Sequence, residues 1–141
     1  MFFKPNKINP DKVILTIIDA DSWIPSQYID QINKILMEKH PQRHKIIFEP
    51  CQMFTRNYME VPAMSRTYDI SHGMVHFSNL FTIFGTSFPL SNYSLSYILA
   101  KSIGFWDTCP DAIGEDFHTT IKAFFKTKGD VQTIPIFTPF N

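Results

Sequence analysis

The chain has 141 residues, of which 44% are hydrophobic and 18% are charged, a composition typical of one globular domain rather than of a disordered tail or a fibre. Thirteen basic and thirteen acidic residues give a net charge of zero, so the basic surplus of a nucleic-acid-binding module is missing. No run approaches the roughly 18 to 20 consecutive apolar residues that a membrane-spanning helix needs. Nucleic acid is therefore excluded as a first choice of partner, and the chain alone has no predicted transmembrane segment.

The first predicted elements form a strand, a loop and a helix. Residues 13–18 are a continuous apolar run rich in β-branched side chains, which predicts a strand buried on both faces of a parallel sheet. The run ends abruptly at Asp19-Ala20-Asp21-Ser22. Pro25 suits the first turn of a helix, and apolar residues recur at helical spacing from 28 to 36 until His40-Pro41 ends the pattern.

A second strand and a long helix are predicted next. Residues 45–49 have the pattern of a strand, and Pro50 is expected to end it. Cys51 follows, and because it forms no CxxC with the distant Cys109, we expect two free thiols. Residues 63–84 predict a loosely amphipathic helix whose Met and Phe side chains belong to the core, with a lipid-facing surface as the alternative.

The remaining elements alternate in the same way. Residues 85–93 are predicted to be a loop, and residues 94–102 a short helix. Residues 115–128 predict another helix, closed by Gly129, and residues 131–138 a closing strand. Strands that alternate with helices indicate a layered α/β architecture.

Two carboxylates follow the first predicted strand. In open α/β sheets, ligands bind beyond the carboxyl ends of the strands, and Asp19 and Asp21 occupy such a position. Both can reach a hard divalent cation, which prefers oxygen ligands and bridges to the phosphates of a bound nucleotide. The structural alternative is that these residues cap the following helix.

A second acidic pair opens a later helix. Glu115 and Asp116 follow Gly114, where carboxylates stabilise a helix through its dipole, so capping again provides a structural explanation. The functional alternative is that one carboxylate removes a proton from an attacking hydroxyl. His118, one turn further on, is a candidate for contacting metal or phosphate; otherwise it is a solvated or core-edge histidine.

Four segments carry a family resemblance. In chain order they are VILTIIDADSWIP, GTSFPLSNYSLSYILAKSIGFWD, AIGEDFH and FFKTKGDVQTIPIF. Together they resemble the second half of the catalytic domain of the family 2 glycosyltransferases, the inverting, processive-type membrane enzymes related to cellulose, chitin and hyaluronan synthases. The similarity covers residues 12–141. It implies an α/β, partial GT-A-type (Rossmann-like) fold, with a mixed sheet flanked by helices.

The resemblance also implies roles for individual residues. Asp19 and Asp21 would hold a divalent metal, Mn²⁺ or Mg²⁺, and the diphosphate of a nucleotide-sugar donor. Asp116 would be the general base for the acceptor hydroxyl, with Glu115 supporting it. A saccharide or lipid-linked acceptor would lie near a third group of residues, namely Ser91, Asn92, Tyr93, Trp106 and Asp107.

The expected function is therefore metal-dependent, inverting transfer of a sugar to a hydroxyl group. The resemblance implies that residues 1–141 are a truncated domain. The N-terminal nucleotide-binding half and the C-terminal membrane region of the parent enzyme would be absent, and its catalytic domain would lie on the cytoplasmic side of the membrane. One alternative is a catalytically inert fragment or partner-binding module. Another is a haloacid dehalogenase-type phosphohydrolase, which requires Thr or Val where Trp23 stands.

Overall fold

The computed structural model describes residues 8–20, 22–52, 58–80, 88–89, 91–108 and 114–140. Its helices and strands are, in chain order, β1 (Ile14–Ile17), α1 (Ser26–Glu38), β2 (Ile46–Gln52), α2 (Ala63–Leu80), β3 (Tyr93–Ser96), α3 (Tyr97–Ser102), α4 (Glu115–Lys126) and β4 (Gln132–Phe140). Two short 3-10 helices, Pro10–Lys12 and His40–Lys45, precede β1 and β2.

The four strands form one mixed sheet in the order β1-β3-β2-β4. The strand β3 pairs antiparallel with both β1 and β2, whereas β2 and β4 are parallel. The prediction of an α/β fold with a mixed sheet flanked by helices is confirmed.

Different helices cover the two faces of this sheet. Ile46 and Phe48 of β2 pack against α1, whereas Ile47 between them packs against α3 and α4. This alternation is what a strand buried on both faces requires. The cluster on the α1 face consists of Tyr28, Ile32, Ile46, Phe48 and Ile136, and the opposite cluster of Ile47, Tyr93, Leu95, Leu99, Ala100, Ala123 and Val131.

The strand β1 differs from its prediction. Among the described strands it lies at the edge of the sheet, it pairs antiparallel, and all four of its residues are half-buried. A fully buried parallel strand is therefore the wrong description. Leu15 and Ile17 pack onto the core, while Thr16 bonds to the hydroxyl of Ser94 at 2.9 Å. An apolar, β-branched run predicts a strand that is at least partly buried, but it does not distinguish a central strand from an edge strand.

The strand β3 was not predicted. Tyr93 was expected to end a loop and Ser94 to begin a helix, but residues 93–96 form a fully buried strand. Its serine hydroxyls have hydrogen-bond partners, which allows them to be buried. Ser94 bonds to Tyr28, and Ser96 accepts the N–H of Leu99 and so caps α3. The predicted helix consequently begins three residues later than expected.

The strand β2 continues past Pro50, so the prediction that this proline ends the strand is wrong. Pairing with β3 involves Ile47 and Phe48, whereas pairing with β4 extends to Gln52, with a register shift after Pro50. Because the segment from 49 onward pairs on one side, the missing N–H of the proline can be tolerated. Cys51, just beyond it, is buried and free, as expected, and Cys109 lies outside the described residues.

Apolar side chains of α2 lie on the surface rather than in the core. Met64 is 88% exposed, Tyr68 67% and Met74 70%, so the prediction of a core stripe is wrong for the described side chains of α2. The apolar residues are spread around this helix and do not form a single apolar face that could be buried. In the part of the chain that the structure describes, no helix combines the length and the apolar character needed to cross a membrane.

Candidate active site

The end of β1 and the start of β3 bring the first acidic residue into contact with a polar anchor. Ile17 is paired with Tyr93, so Asp19 emerges beside Asn92. The backbone N–H of Asp19 donates to Oδ1 of Asn92 at 3.0 Å, and Nδ2 of Asn92 donates to Oγ of Ser22 at 3.2 Å. The N–H of Ser22 donates back to the carbonyl of Asp19 at 3.0 Å, which closes a turn. The side chain of Asp19 is exposed.

The start of α4 supplies the second acidic group. Gly114 precedes the helix in the left-handed conformation, with φ of 91°, and Glu115 and Asp116 form the first turn. Glu115 is exposed, whereas Asp116 is half-buried. The hydroxyl of Tyr93 lies close enough to Asp116 to lower the pKa of its carboxyl group, and Nε1 of Trp106 donates to the Tyr93 oxygen at 2.6 Å. The base predicted from the sequence therefore lies beside a buried residue of another element.

The charge of Asp19 acts on Asp116, which indicates that the two acidic groups lie at the same end of the sheet. Burial raises the pKa of Asp116, and the negative charges of Glu115 and Asp19 raise it further, while the hydrogen bond from Tyr93 lowers it. Burial also raises the pKa of Tyr93, so its hydroxyl stays protonated and can act as a hydrogen-bond donor toward the carboxylate. A partly buried carboxylate with a raised pKa is suited to accept a proton near neutral pH.

A neighbouring ion-pair cluster fixes the turn that carries Trp106. Asp107 pairs with Nδ1 of His118 and with Nζ of Lys122, the latter at 3.2 Å. The hydrogen bond from His118, and after it that from Lys122, lowers the pKa of Asp107. Nζ of Lys122 also donates to the carbonyl of Phe105 at 2.6 Å. These contacts attach the turn after α3 to the outer side of α4.

The turn itself is conformationally demanding. Gly104 has φ of 79°, and Phe105 has φ of 62°, a left-handed conformation that bulky residues rarely adopt. The N–H of Phe105 donates to the carbonyl of Ala100 at 2.8 Å, which closes the end of α3. Two consecutive left-handed residues reverse the chain, and Trp106 then packs against the core beside Tyr93.

The structure thus brings together most of the residues predicted from the sequence. Asp19 and Asn92 form one group, and Asp116, Tyr93 and Trp106 form another beside it. Asp107 and His118 contact each other, and Ser91 is half-buried just before β3. Asp21 lies outside the described residues.

The capping alternatives can be compared with the helix starts. Pro25 occupies the position before α1, so Asp19 does not cap that helix, and this alternative is wrong for Asp19. Glu115 and Asp116 do lie in the first turn of α4, where the helix dipole favours them. Asp116 additionally contacts Tyr93, which a purely capping residue does not require.

Two further residues were not predicted. Ser22 completes the turn beside Asn92, and its signal was its place directly after the D-x-D. Glu49 is the central residue of β2 and is fully buried. Its charge adds to the effect of burial in raising the pKa of Tyr28 to about 12, and it acts in the same direction on Cys51. The sequence did contain a signal for Glu49, because it is the last residue of the strand predicted over residues 45–49.

The fold and the site define an α/β protein whose acidic side chains lie at the end of the sheet where β1 finishes and β3 begins. Ligands of open α/β sheets bind beyond the carboxyl ends of the strands. The family model described as Glycosyl transferase family group 2 matches residues 14–135. The chain therefore belongs to glycosyltransferase family group 2, which confirms the resemblance at the level of the family and supports a glycosyltransferase-like function with a nucleotide-sugar donor and an acceptor. Comparisons with curated proteins and with solved structures found no match.

Proposed function

We propose that this chain is part of the catalytic domain of an enzyme that performs metal-dependent, inverting transfer of a sugar from a nucleotide-sugar donor to a hydroxyl acceptor, with Asp116 as general base. The observation that supports this most directly is the half-buried Asp116 carboxylate, which has a raised pKa, a hydrogen bond from Tyr93 and an electrostatic interaction with Asp19. Family membership supplies the donor class.

The base assignment follows from what inversion requires. The acceptor hydroxyl attacks the anomeric carbon from the face opposite the leaving diphosphate, and it must lose a proton as the new bond forms. Asp116 can accept this proton because burial makes its carboxylate more basic than an exposed one. The hydroxyl of Tyr93 orients the carboxylate, and the exposed Glu115 contributes negative charge beside it.

A divalent cation fits the chemistry of the acidic edge. Asp19 and Asp21 would hold Mn²⁺ or Mg²⁺, because carboxylate oxygens are the ligands that hard cations prefer. The repulsion among Asp19, Glu115 and Asp116 that raises the pKa of Asp116 would be relieved by a positive charge. When bound, the ion stabilises the charge of the departing diphosphate. Within the described ranges, no three His, Cys, Asp or Glu side chains are grouped so that they could hold a metal ion.

The synthase-like resemblance extends the proposal to the parent enzyme. We propose that the working enzyme includes a nucleotide-binding segment before β1 and a membrane region after β4, with the catalytic domain on the cytoplasmic side. In that arrangement Asp19 contacts the phosphate end of the donor, and the acceptor, a saccharide or a lipid-linked hydroxyl, approaches Asp116 near Ser91, Trp106 and Asp107. His118 remains a candidate for contact with metal or phosphate.

Calorimetry with Mn²⁺ and UDP, combined with assays of UDP-sugar hydrolysis and transfer, tests the function. We expect the unaltered chain to bind Mn²⁺–UDP, Asp19→Asn to lose binding, and Asp116→Asn to bind normally but lose turnover. Asp30→Asn, on the exposed side of α1, is the matched control and should behave like the unaltered chain. Absence of binding at millimolar UDP would favour the inert, partner-binding alternative. Full turnover in Asp116→Asn would disprove the base assignment.

A further inference from the structure

Asn92 lies where the acidic turn meets the central part of the sheet. It directly precedes β3 and is 5% exposed. Its amide oxygen accepts the N–H of Asp19, and its amide nitrogen donates to the hydroxyl of Ser22. The Ser22 N–H in turn donates to the carbonyl of Asp19. Two hydrogen bonds therefore link one side chain to both ends of the Asp19–Ser22 turn, and a third joins the two ends to each other.

We infer that Asn92 is a positioning residue that fixes this turn for donor binding, rather than a residue that contacts the acceptor. The inference rests on the proposed function, since it assigns the turn to the donor. An acceptor would need accessible polar surface, and Asn92 offers almost none. Both ends of its amide are already bonded within the protein. An amide is also a short side chain that can accept and donate at the same time.

Fixing the backbone of the turn fixes the position from which the Asp19 side chain projects. Asp19 is exposed, and no other hydrogen bond of its backbone N–H is described, so without Asn92 the start of the turn would depend on the Ser22 bond alone. A group that must meet a cation or a diphosphate loses affinity when its orientation is not set in advance. Residues that orient metal ligands typically change metal affinity by about 10- to 100-fold when they are replaced.

The neighbour of Asn92 gives the arrangement a second consequence. Tyr93, the first residue of β3, lowers the pKa of Asp116, and the residue before it bonds to Asp19. Adjacent residues therefore contact the donor turn and act on the proposed base. Replacing Asn92 should disturb the donor half of the site while the interaction of Tyr93 with Asp116 is kept.

Hydrogen exchange of the Asp19 amide provides a readout that does not depend on catalysis. We expect Asn92→Ala to accelerate exchange of this amide by about tenfold or more, because its acceptor is lost. Ser22→Ala keeps the Asn92–Asp19 bond and should have a smaller effect, and it serves as the second variant if Asn92→Ala folds poorly. Asn33→Ala, on the exposed side of α1, is the matched control.

Binding and kinetics then separate positioning from acceptor contact. We expect Asn92→Ala to weaken Mn²⁺–UDP binding by about 10- to 100-fold and to raise the donor KM, with the acceptor KM unchanged. A raised acceptor KM with normal donor binding would overturn the inference. Unchanged Asp19 exchange in a variant that binds Mn²⁺–UDP normally would overturn it as well. Absence of Mn²⁺–UDP binding by the unaltered chain would instead overturn the proposed function, so the two failures are distinguishable.

Discussion

The indole N–H of Trp106 donates a hydrogen bond to the hydroxyl oxygen of Tyr93, the first residue of β3. The same hydroxyl lowers the pKa of Asp116, which lies in the first turn of α4. Tyr93 is fully buried, so this contact is made where hydrogen bonds are strong and unpaired groups are costly. Burial raises the pKa of Asp116 most strongly, and Tyr93 opposes that rise.

Removing this hydroxyl should change the pH dependence of activity. In Tyr93→Phe the hydrogen bond that lowers the pKa of Asp116 is lost, so that pKa rises further. A general base must be deprotonated to act, and the acidic limb of the kcat profile should therefore move to higher pH. Tyr28→Phe is the control, because it removes a buried hydroxyl of α1, on the face of the sheet opposite α4. An unshifted acidic limb in Tyr93→Phe would show that Asp116 does not determine it.

Neutralising Asp116 should stabilise the fold at neutral pH. Its pKa is raised in the folded state, so the unfolded chain releases this proton at lower pH, and folding stability falls as the pH rises through the folded pKa. Asp116→Asn has no charge at this position, so its folding stability does not fall over this pH range. Its thermal midpoint should exceed that of the unaltered chain at pH 7, and the two should converge below about pH 4, near the unfolded pKa. Equal midpoints at pH 7 would contradict the burial of the charge.

The opposite sign is expected at Asp107. His118 and Lys122 lower its pKa, so the ionised form contributes stability above the unfolded pKa, and this is lost as the pH falls through the folded pKa. Asp107→Asn should therefore unfold at a lower temperature at pH 7 and lose less stability in acid than the unaltered chain. Circular dichroism melts across this range measure the difference, with Asp30→Asn as the exposed control. Parallel pH profiles would contradict the ion-pair cluster.

The buried hydroxyl of Tyr28 should contribute measurably to stability. It bonds to Ser94 at 2.9 Å, and Tyr28→Phe should lower the free energy of unfolding by about 0.5–1.5 kcal/mol. The loss stays moderate because Ser94 keeps Thr16 as a partner. Urea unfolding measures it, with Tyr68→Phe, which is 67% exposed, as the matched control. An equal decrease in the free energy of unfolding in Tyr28→Phe and Tyr68→Phe would show that the bond to Ser94 does not stabilise the fold.

Local patterns predicted the helices better than the strands. The periodic spacing of α1 and the Gly129 signal after α4 placed both helices within a few residues. The strand β3 was missed because four residues carry too little periodicity, and what buries its serines lies far away in sequence. Ser94 bonds to Tyr28, 66 residues away, and to Thr16, 78 residues away. Such pairings can be seen only when the sheet is assembled.

The sequence predicted the acidic residues of the site but not the contacts that support them. The acidic groups could be found because a strand end and a helix start are local features, and the fold places Asp19 and Asp116 near the same edge. The supporting contacts could not be found in this way. Asn92 and Tyr93 were assigned by resemblance to acceptor contacts, whereas Asn92 bonds to Asp19 and Tyr93 accepts the Trp106 N–H and lowers the pKa of Asp116 within the protein. A sequence motif identifies which residue types are present, and only the fold shows which atoms they reach.

The short strand β3 also restricts which changes in chain length the protein can accept. Its side chains alternate, with Tyr93 and Leu95 in the cluster beside α3 and α4, and Ser94 bonded to Tyr28 of α1. An insertion of one residue between Asn92 and Ser96 would exchange these faces, placing a hydroxyl among apolar side chains and moving both anchors of the acidic groups at once. We therefore expect natural insertions and deletions among relatives to avoid positions 92–96.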